Sequence, residues 1–257
     1  MTTLTSRRVT LTCGVLAIFA CVAGALFAQE HAGPHWGYNG AEGPTHWGAL
    51  DPSFAMCQQG QHQSPIDIRA PKLSDLPAIQ FAYRATPLHI VNNGHTIEVN
   101  YAPGSFITVG GTRYELKQFH FHHPSEEKIN GRAYAMELHL VHAAADGRLA
   151  VVAVLLDAGR ANSAFATVWQ HLPSKEGPEQ MLDDVQVDAT GLLPADRGYF
   201  SVTGSLTTPP CSENVTWFVL KTPVAISPEQ VAAFTAIYPA DARPTQPLHG
   251  RTVLASK

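Results

Sequence analysis

The chain has 257 residues, of which 45% are hydrophobic and 15% charged, and its net charge is −4. This composition is that of an ordinary globular protein, and the weak negative charge argues against nucleic acid or an anionic membrane surface as a partner. Thirteen histidines are unusual for this length, so their positions need attention.

The first 28 residues have the order of a secretory signal peptide. Arg7 and Arg8 precede an apolar run over residues 9–27, and polar sequence begins at Gln29. This order is typical of exported proteins, although the run approaches the roughly 20 residues that an uncleaved anchor helix needs. We predict a signal peptide over residues 1–28, one domain over 29–257, and a periplasmic or secreted protein with no stable membrane partner after cleavage.

Two cysteines remain outside the predicted signal peptide, Cys57 and Cys211. In an oxidising compartment such a pair is expected to form one disulfide. On the chain-entropy estimate, a loop this long would add about 4–5 kcal/mol of stability. The alternative is a pair of unrelated buried thiols.

Most of the domain has the pattern of short strands joined by turns. Apolar and polar residues alternate around Asn93 and Gly94, and an Asn-Gly step between two such runs is a strong hairpin signal. Ser227 begins one helix, because Ser227 and Gln230 can form a capping box. We therefore predict a mostly β (α+β) domain on a large twisted, mainly antiparallel sheet with a few peripheral helices. Strands are predicted at residues 88–91, 96–101, 106–109, 114–122, 133–143, 149–156 and 215–220, and a further helix at 161–172.

The segment 118–122 carries the first metal-binding pattern. On a strand, Gln118, His120 and His122 share one face, while Phe119 and Phe121 face the opposite side. Two imidazoles at this spacing can reach one ion, and two phenylalanines would anchor the strand in the core.

A third ligand is expected from the next predicted strand. Alternation places Glu137, His139 and Val141 on one face and His142 on the other. Periodicity alone leaves open which of the two histidines is the ligand. Three neutral histidines would leave zinc one open position, which is typical of a catalytic site.

Two residues are suited to orient the ligands. Gln118 and Glu137 each precede a ligand by two residues on the same face, where they can accept the second ring N–H of the imidazoles. Glu137 as a direct fourth ligand would instead close the site.

The His-x-His pair, followed by Glu126 and a distant His, is also the ligand order of cupins, which bind iron or manganese. The glycine that cupins have six residues before the first His is replaced by Tyr114, which argues against that class.

Ordered blocks across the chain resemble the alpha carbonic anhydrases, in particular their bacterial exported members. The resemblance covers nearly the whole predicted mature chain and implies that fold. The blocks lie at residues 35–38, 43–47, 63–68, 92–95, 118–122, 137–142, 204–210 and 215–217.

The resemblance implies the chemistry of the site. Zn²⁺ would be held by His120, His122 and His139, and zinc-bound hydroxide would attack carbon dioxide. Thr207 would accept a hydrogen bond from the hydroxide and donate its own proton to Glu126. His95 matches the family's proton shuttle, and Tyr38 matches a residue that helps order the connecting water.

The resemblance also assigns a substrate site and a disulfide. Thr208 would line the bicarbonate site. Cys57 and Cys211 match the disulfide of bacterial members, which we expect to hold Thr207 in place. The apolar wall for carbon dioxide would be formed by Val141, Val151, Leu206, Val215 and Trp217.

We therefore predict a zinc-dependent carbonic anhydrase, a lyase that converts carbon dioxide to bicarbonate. The alternative is a catalytically inactive binding protein on the same fold, but such relatives typically lack one or more zinc histidines. Carbon dioxide and bicarbonate are the predicted partners. A homodimer is left open.

Overall fold

The structure, a computed structural model, describes residues 1–2 and 34–257. The predicted signal peptide over residues 1–28 lies, apart from its first two residues, outside the described residues. Pro34–Lys257 forms one compact unit. Across the described ranges, no helix has both the length and the apolar character needed to cross a membrane.

Strands dominate the described residues, and the four α-helices found there are short. The helices are α1 (Trp47–Leu50), α2 (Met56–Gln59), α3 (Ala166–Gln170) and α4 (Pro228–Thr235). Single 3-10 turns lie at Gly40–Glu42, Pro52–Phe54, Ser163–Phe165 and Ala189–Leu192. The strands are β1 (Asp67–Ile68), β2 (Lys72–Ser74), β3 (Gln80–Ala82), β4 (Thr86–Asn92), β5 (Ile97–Asn100), β6 (Phe106–Val109), β7 (Thr112–His122), β8 (Lys128–Ile129), β9 (Met136–Ala144), β10 (Leu149–Ala158), β11 (Gln180–Val187), β12 (Tyr199–Ser205), β13 (Glu213–Leu220), β14 (Val224–Ile226) and β15 (Leu254–Ser256).

One large mixed sheet organises the domain, as predicted. Among the described residues it has 13 strands, with the main order β11-β4-β5-β7-β9-β10-β13-β12-β15-β2. Most neighbouring pairs are antiparallel, but β13 and β14 pair with β10 in parallel, as β15 does with β2. The remaining two strands, β1 and β8, form a small parallel sheet.

The two faces of the central sheet bury different clusters. The larger core lies on the face that includes Phe119, Phe121, Leu138 and Leu140, all 0% exposed. The opposite face carries a smaller apolar cluster that includes Trp217. The predicted alternation in β7 is therefore confirmed, because its phenylalanines pack into the large core and leave the other face to the polar side chains.

The local predictions are confirmed where turn or cap residues mark the boundary. The strands β4 and β5 form the predicted hairpin, in which Asn93 Oδ1 accepts the Thr96 N–H at 3.0 Å. Helix α4 begins with the predicted capping box of Ser227 and Gln230. The helix expected over residues 161–172 is shorter, because Asn162 caps a 3-10 turn before α3.

Cys57 and Cys211 form the predicted disulfide across 154 residues. The bond lies in a separate apolar cluster with Trp47 and Phe54. It joins α2 to the turn that precedes β13.

Candidate metal centre

Three histidine side chains meet on one face of the central sheet. His120 and His122 lie two residues apart on β7, and His139 on β9 is opposite His120 in the antiparallel register. One ring nitrogen from each lies within 4.8 Å of those of the other two, a spacing that a single metal ion can bridge. His122 and His139 are each 1% exposed.

The other ring nitrogen of each histidine faces an acceptor. A neutral imidazole donates from one nitrogen and accepts at the other, so these acceptors favour a proton on the nitrogen that they face. The ligand nitrogens left by this arrangement are Nε2 of His120 and His122 and Nδ1 of His139. Two of the contacts are hydrogen bonds, from His120 Nδ1 to Gln118 Oε1 (2.7 Å) and from His122 Nδ1 to the Asp241 carbonyl oxygen (2.8 Å). The third is longer than a hydrogen bond, with His139 Nε2 3.6 Å from Glu137 Oε1.

His120 sits in an environment that favours its neutral form. Burial, together with the nearby rings of His122 and His139, lowers the pKa of His120 well below its ordinary value. A metal-binding imidazole must be neutral. The environment therefore keeps this ring in the form that ligation requires.

The structure distinguishes between the two histidines of β9. His142 points into the large core, where its Nε2 lies 2.8 Å from the Tyr83 hydroxyl and its Nδ1 lies 3.3 Å from the Ala150 carbonyl oxygen. Burial lowers the pKa of His142 to about 3. Of the two alternatives that periodicity left open, His139 reaches the cluster and His142 does not.

Glu137 is placed as an acceptor for His139 rather than as a fourth ligand. Its Oε2 accepts the backbone N–H groups of Glu126 and Glu127 at 2.8 and 2.9 Å. Its Oε1 faces His139 Nε2, the ring nitrogen that is not needed for the metal. Oε2 is thus occupied by backbone donors, whereas Oε1 points to His139 Nε2 from 3.6 Å, which is longer than a hydrogen bond.

Glu126 reaches the cluster from the loop before β8. Its Oε1 accepts the Arg243 backbone N–H at 2.8 Å. Its Oε2 lies 3.5 Å from His122 Nε2 and has no hydrogen-bond partner among the described residues. A carboxylate oxygen buried without a donor is costly, so this oxygen is suited to receive a hydroxyl proton from a site residue.

Glu127 is a further buried carboxyl beside the histidines, and it was not predicted from the sequence. Its Oε2 lies 3.6 Å from His139 Nε2 and lacks a hydrogen-bond partner within the described ranges. Burial, followed by the charges of Glu137 and Glu126, raises the pKa of Glu127 well above its ordinary value. In the sequence, two adjacent glutamates between strands are typical of an exposed turn, and no signal distinguishes this one.

Tyr38 approaches the same acidic group from the N-terminal segment. Its hydroxyl is buried and has no hydrogen-bond partner in the described part of the chain. Burial, with the charges of Glu126 and Asp241, raises the pKa of Tyr38 well above its ordinary value. Burial also raises the pKa of Asp241 to about 7. Asp241 was not predicted from the sequence, because it lies in an irregular segment near the C-terminus.

The five apolar side chains predicted to form a substrate wall lie together beside the histidines. Val151, Val215 and Trp217 are buried in the smaller cluster, and Val141 and Leu206 pack against it. The Trp217 ring centroid lies 4.9 Å from that of His139. The wall is therefore continuous with the metal-binding face.

Thr207 and Thr208 lie in the loop between β12 and β13. Thr207 is 5% exposed, whereas Thr208 is half-buried. Hydrogen bonds hold both ends of this loop: Ser205 Oγ accepts the Ser64 N–H at 2.9 Å, and the Cys211 carbonyl oxygen accepts from Gln63 Nε2 at 3.0 Å. The disulfide adds a covalent link at Cys211.

The Ser64 contact also explains a glycine next to this loop. A Cβ atom built at Gly204 would lie only 2.1 Å from Ser64 Oγ. Any larger residue at position 204 would push the strand β12 away from the segment that contains Ser64.

His95 lies on the hairpin between β4 and β5. Its ring stacks on Trp36, with the centroids 3.6 Å apart and the planes 7° from parallel. Burial lowers the pKa of His95, an effect that the charge of Glu176 partly offsets. Trp36 was not predicted to be the partner of His95, although both residues lie in the blocks that resemble the family.

The donor set fits a divalent transition metal. The three ring nitrogens converge, their second nitrogens face acceptors, and His122 Nε2 is buried without a hydrogen-bond partner among the described residues. Imidazole ligands suit zinc and its neighbours in the first transition row.

Comparisons with known proteins agree with this arrangement. A carbonic anhydrase of Nostoc sp. is 45% identical over 225 residues, which cover 86% of this chain and 85% of the relative. An alpha-carbonic anhydrase from Thermovibrio ammonificans, solved with the inhibitor sulfanilamide, matches with a TM-score of 0.84 and 42% identity, covering 86% of this chain and 99% of that one. Dioscorin, solved in complex with ascorbate, matches with a TM-score of 0.81 and 30% identity. The match covers 86% of this chain and 97% of the dioscorin chain.

The family profile described as eukaryotic-type carbonic anhydrase matches residues 42–257, which include every residue of the candidate metal centre described above except Tyr38 and Trp36. With the fold, the three-histidine cluster and these relatives in agreement, the chain belongs to the eukaryotic-type, or alpha, carbonic anhydrase family.

Proposed function

We propose that the chain catalyses the reversible hydration of carbon dioxide to bicarbonate and a proton, with zinc held by His120, His122 and His139. One observation carries the proposal: three imidazoles converge through one nitrogen each, while their second nitrogens face acceptors. The relatives named carbonic anhydrases support the reaction.

Zinc is the metal proposed for the site. Three neutral nitrogen ligands are typical of catalytic zinc, which keeps an open coordination position. When bound, zinc lowers the pKa of a coordinated water to about 7 and so makes a nucleophile available at neutral pH.

Glu126 and Thr207 are proposed to orient the nucleophile. An ionised carboxylate can only accept hydrogen bonds, so Glu126 Oε2 would take the proton of the Thr207 hydroxyl. The Thr207 oxygen is then left to accept a hydrogen bond from the nucleophile. The unpartnered, buried Glu126 Oε2 supports this assignment. The Thr207 backbone N–H is proposed to orient the substrate.

Carbon dioxide is small and apolar, so its binding site needs an apolar surface beside the metal. Trp217 and Val141 offer such a surface next to His139. Val151, Leu206 and Val215 complete it, and Thr208 is proposed to line the bicarbonate site. Burial of apolar area favours the substrate over the charged product.

His95 is proposed to carry the released proton to solvent. The ordinary pKa of an imidazole is near 6.5, and burial lowers that of His95, so at neutral pH its ring is mostly neutral and can accept a proton and pass it on. The buried hydroxyl of Tyr38, close to Glu126, is suited to order water between the site and His95.

The second candidate function is a catalytically inactive binding protein on the same fold. The chain is also similar to dioscorin, a protein solved in complex with ascorbate. All three metal-binding histidines are present here, together with Thr207 and Glu126. The enzyme is therefore the favoured function.

Export to the periplasm or beyond is proposed from the first 28 residues alone. N-terminal sequencing of the protein recovered from the periplasm or medium tests this. An intact Met1 on protein retained in the cytoplasm would contradict it.

The test of the reaction combines metal analysis with stopped-flow measurement of hydration. We expect one zinc ion per chain, loss of hydration when a chelator removes the zinc, and recovery when Zn²⁺ is restored. Undiminished hydration by the zinc-free chain would contradict the mechanism. A zinc-loaded chain without hydration would favour the binding protein instead.

A further inference from the structure

Gln118 links a metal-binding histidine to a carboxylate that has no role in the function proposed above. Its Oε1 lies 2.7 Å from His120 Nδ1, and its Nε2 donates to Glu98 Oε2 at 3.1 Å. Glu98 lies on β5, opposite His120 in the antiparallel register. All three side chains therefore lie on one face of the sheet.

A glutamine amide has two different ends, and either end could face His120. With Oε1 toward the ring, Gln118 accepts a proton from His120 Nδ1; with the amide reversed, the NH₂ group would face that nitrogen. The reversed amide would favour a proton on His120 Nε2, which must be free of a proton to bind a metal. The orientation of Gln118 thus decides whether His120 is ready to act as a ligand.

Glu98 supplies a reason for the observed orientation. An ionised carboxylate accepts hydrogen bonds and cannot donate them, so it attracts the NH₂ end of Gln118. Gln118 Nε2 is the one hydrogen-bond donor to Glu98 found in the described residues. Within the same ranges Glu98 forms no salt bridge with a lysine or arginine. An ion pair therefore does not explain why a carboxylate lies at this position.

The surroundings of Glu98 are unfavourable for a negative charge. Burial raises its pKa, and the charge of Glu179 adds to the effect. Glu179 itself is bonded to Asn100 Nδ2 at 2.7 Å and makes no hydrogen bond to Gln118 in the described structure. The hydrogen bond from Gln118 Nε2 is the contact that offsets this cost.

We propose that Glu98 is a positioning residue for His120, which fixes the amide of Gln118 and, through it, the proton on His120 Nδ1. The inference rests on the proposed three-histidine metal site. It extends that site by one residue, from the ligand through an amide to a half-buried carboxylate. Glu98 would act through Gln118, with which it forms its hydrogen bond.

Two variants and one control test this role. Glu98→Leu removes the acceptor, and Glu98→Gln keeps the shape but offers both a donor and an acceptor. Glu179→Gln is the control, because it removes a neighbouring negative charge without touching Gln118. Backbone amide spectra establish that each variant is folded.

The first measurement is the tautomer of His120 in the zinc-free chain, from the ¹⁵N chemical shifts of its ring nitrogens. We expect the Nδ1–H form in the wild type and the control. Glu98→Leu should increase the Nε2–H form, and Glu98→Gln should give an intermediate mixture. The second measurement is zinc affinity by competition with a chelator, where we expect Glu98→Leu to weaken binding about 10-fold, the lower end for partners of metal ligands.

An unchanged tautomer in both Glu98 variants, or a loss of affinity equal to that of Glu179→Gln, overturns the proposal. If Glu98→Leu does not fold, the comparison of Glu98→Gln with Glu179→Gln decides. Failure of the wild type to bind zinc would overturn the proposed function instead. The tautomer of the zinc-free chain would still decide the role of Glu98.

Discussion

The imidazole of His95 lies flat against the indole of Trp36, with the ring centroids 3.6 Å apart. The stack joins the hairpin that follows β4 to the N-terminal segment of the domain. Burial under this contact lowers the pKa of His95, so the ring holds its proton less firmly than a solvent-exposed histidine.

Replacement of Trp36 should therefore raise the pKa of His95. In Trp36→Leu the ring gains solvent, which favours its charged form. We expect the pKa, measured by NMR titration of the His95 ring, to move upward toward 6.5. A pKa that stays the same or falls would show that the stack does not cause the shift.

The functional control for this prediction is His95→Ala. Turnover should fall in weak buffer and recover on addition of imidazole, because the proposed loss concerns proton transfer and not the metal site.

Thr207→Val and Glu126→Gln should each slow hydration about 10²-fold or more, because either change breaks the proposed hydrogen bond between the two side chains. The double variant should be little worse than either single variant, since residues that act as a unit are not additive. Stopped-flow kinetics with zinc content measured in parallel checks this. Losses that multiply in the double variant would mean that the two residues act separately.

The disulfide between Cys57 and Cys211 should stabilise the fold and hold the loop that contains Thr207. Closing a loop of 154 residues contributes about 5 kcal/mol on the chain-entropy estimate. We expect Cys57→Ser with Cys211→Ser to lower the melting temperature and the hydration rate together. Unchanged values for both would contradict this role.

His142 should make the domain sensitive to acid. Its pKa is about 3 in the folded chain because of burial, against about 6.5 when unfolded, so the unfolded chain binds the extra proton first. Stability is then lost as pH falls from about 6.5 toward 3, at about 1.4 kcal/mol per pH unit from this residue. Urea unfolding of the wild type and His142→Gln between pH 7 and 5 measures the difference.

The variant should show a shallower loss of stability with falling pH, even if it is less stable at pH 7. Equal slopes for the two proteins would exclude His142 as the source.

The sequence was sufficient for the elements with strong local signals. Strict alternation located β7 and β9, the Asn-Gly step located the β4–β5 hairpin, and the capping box located α4. The strands that the patterns missed are short or irregular. The strand β12 was missed although it adjoins β13, because its residues do not alternate cleanly and its partner follows after a loop.

The residues of the candidate site also divide into those that the sequence could predict and those that it could not. The shared face of His120 and His122 follows from spacing alone. Periodicity could not choose between His139 and His142, and the choice of His139 came from the family resemblance, with which the register between β7 and β9 agrees. The partner of His122 is a backbone carbonyl, that of Asp241, 119 residues away. A main-chain acceptor leaves no side-chain signal, so periodicity could not have identified it.

The central claim, a metal held by His120, His122 and His139, is tested most directly by zinc content in two matched variants of β9. His139→Ala removes a proposed ligand, and His142→Ala removes a buried histidine three residues away on the opposite face. We expect His139→Ala to lose bound zinc and hydration, and His142→Ala to keep one zinc ion per chain. Retention of zinc by His139→Ala, with its loss from His142→Ala, would contradict the account.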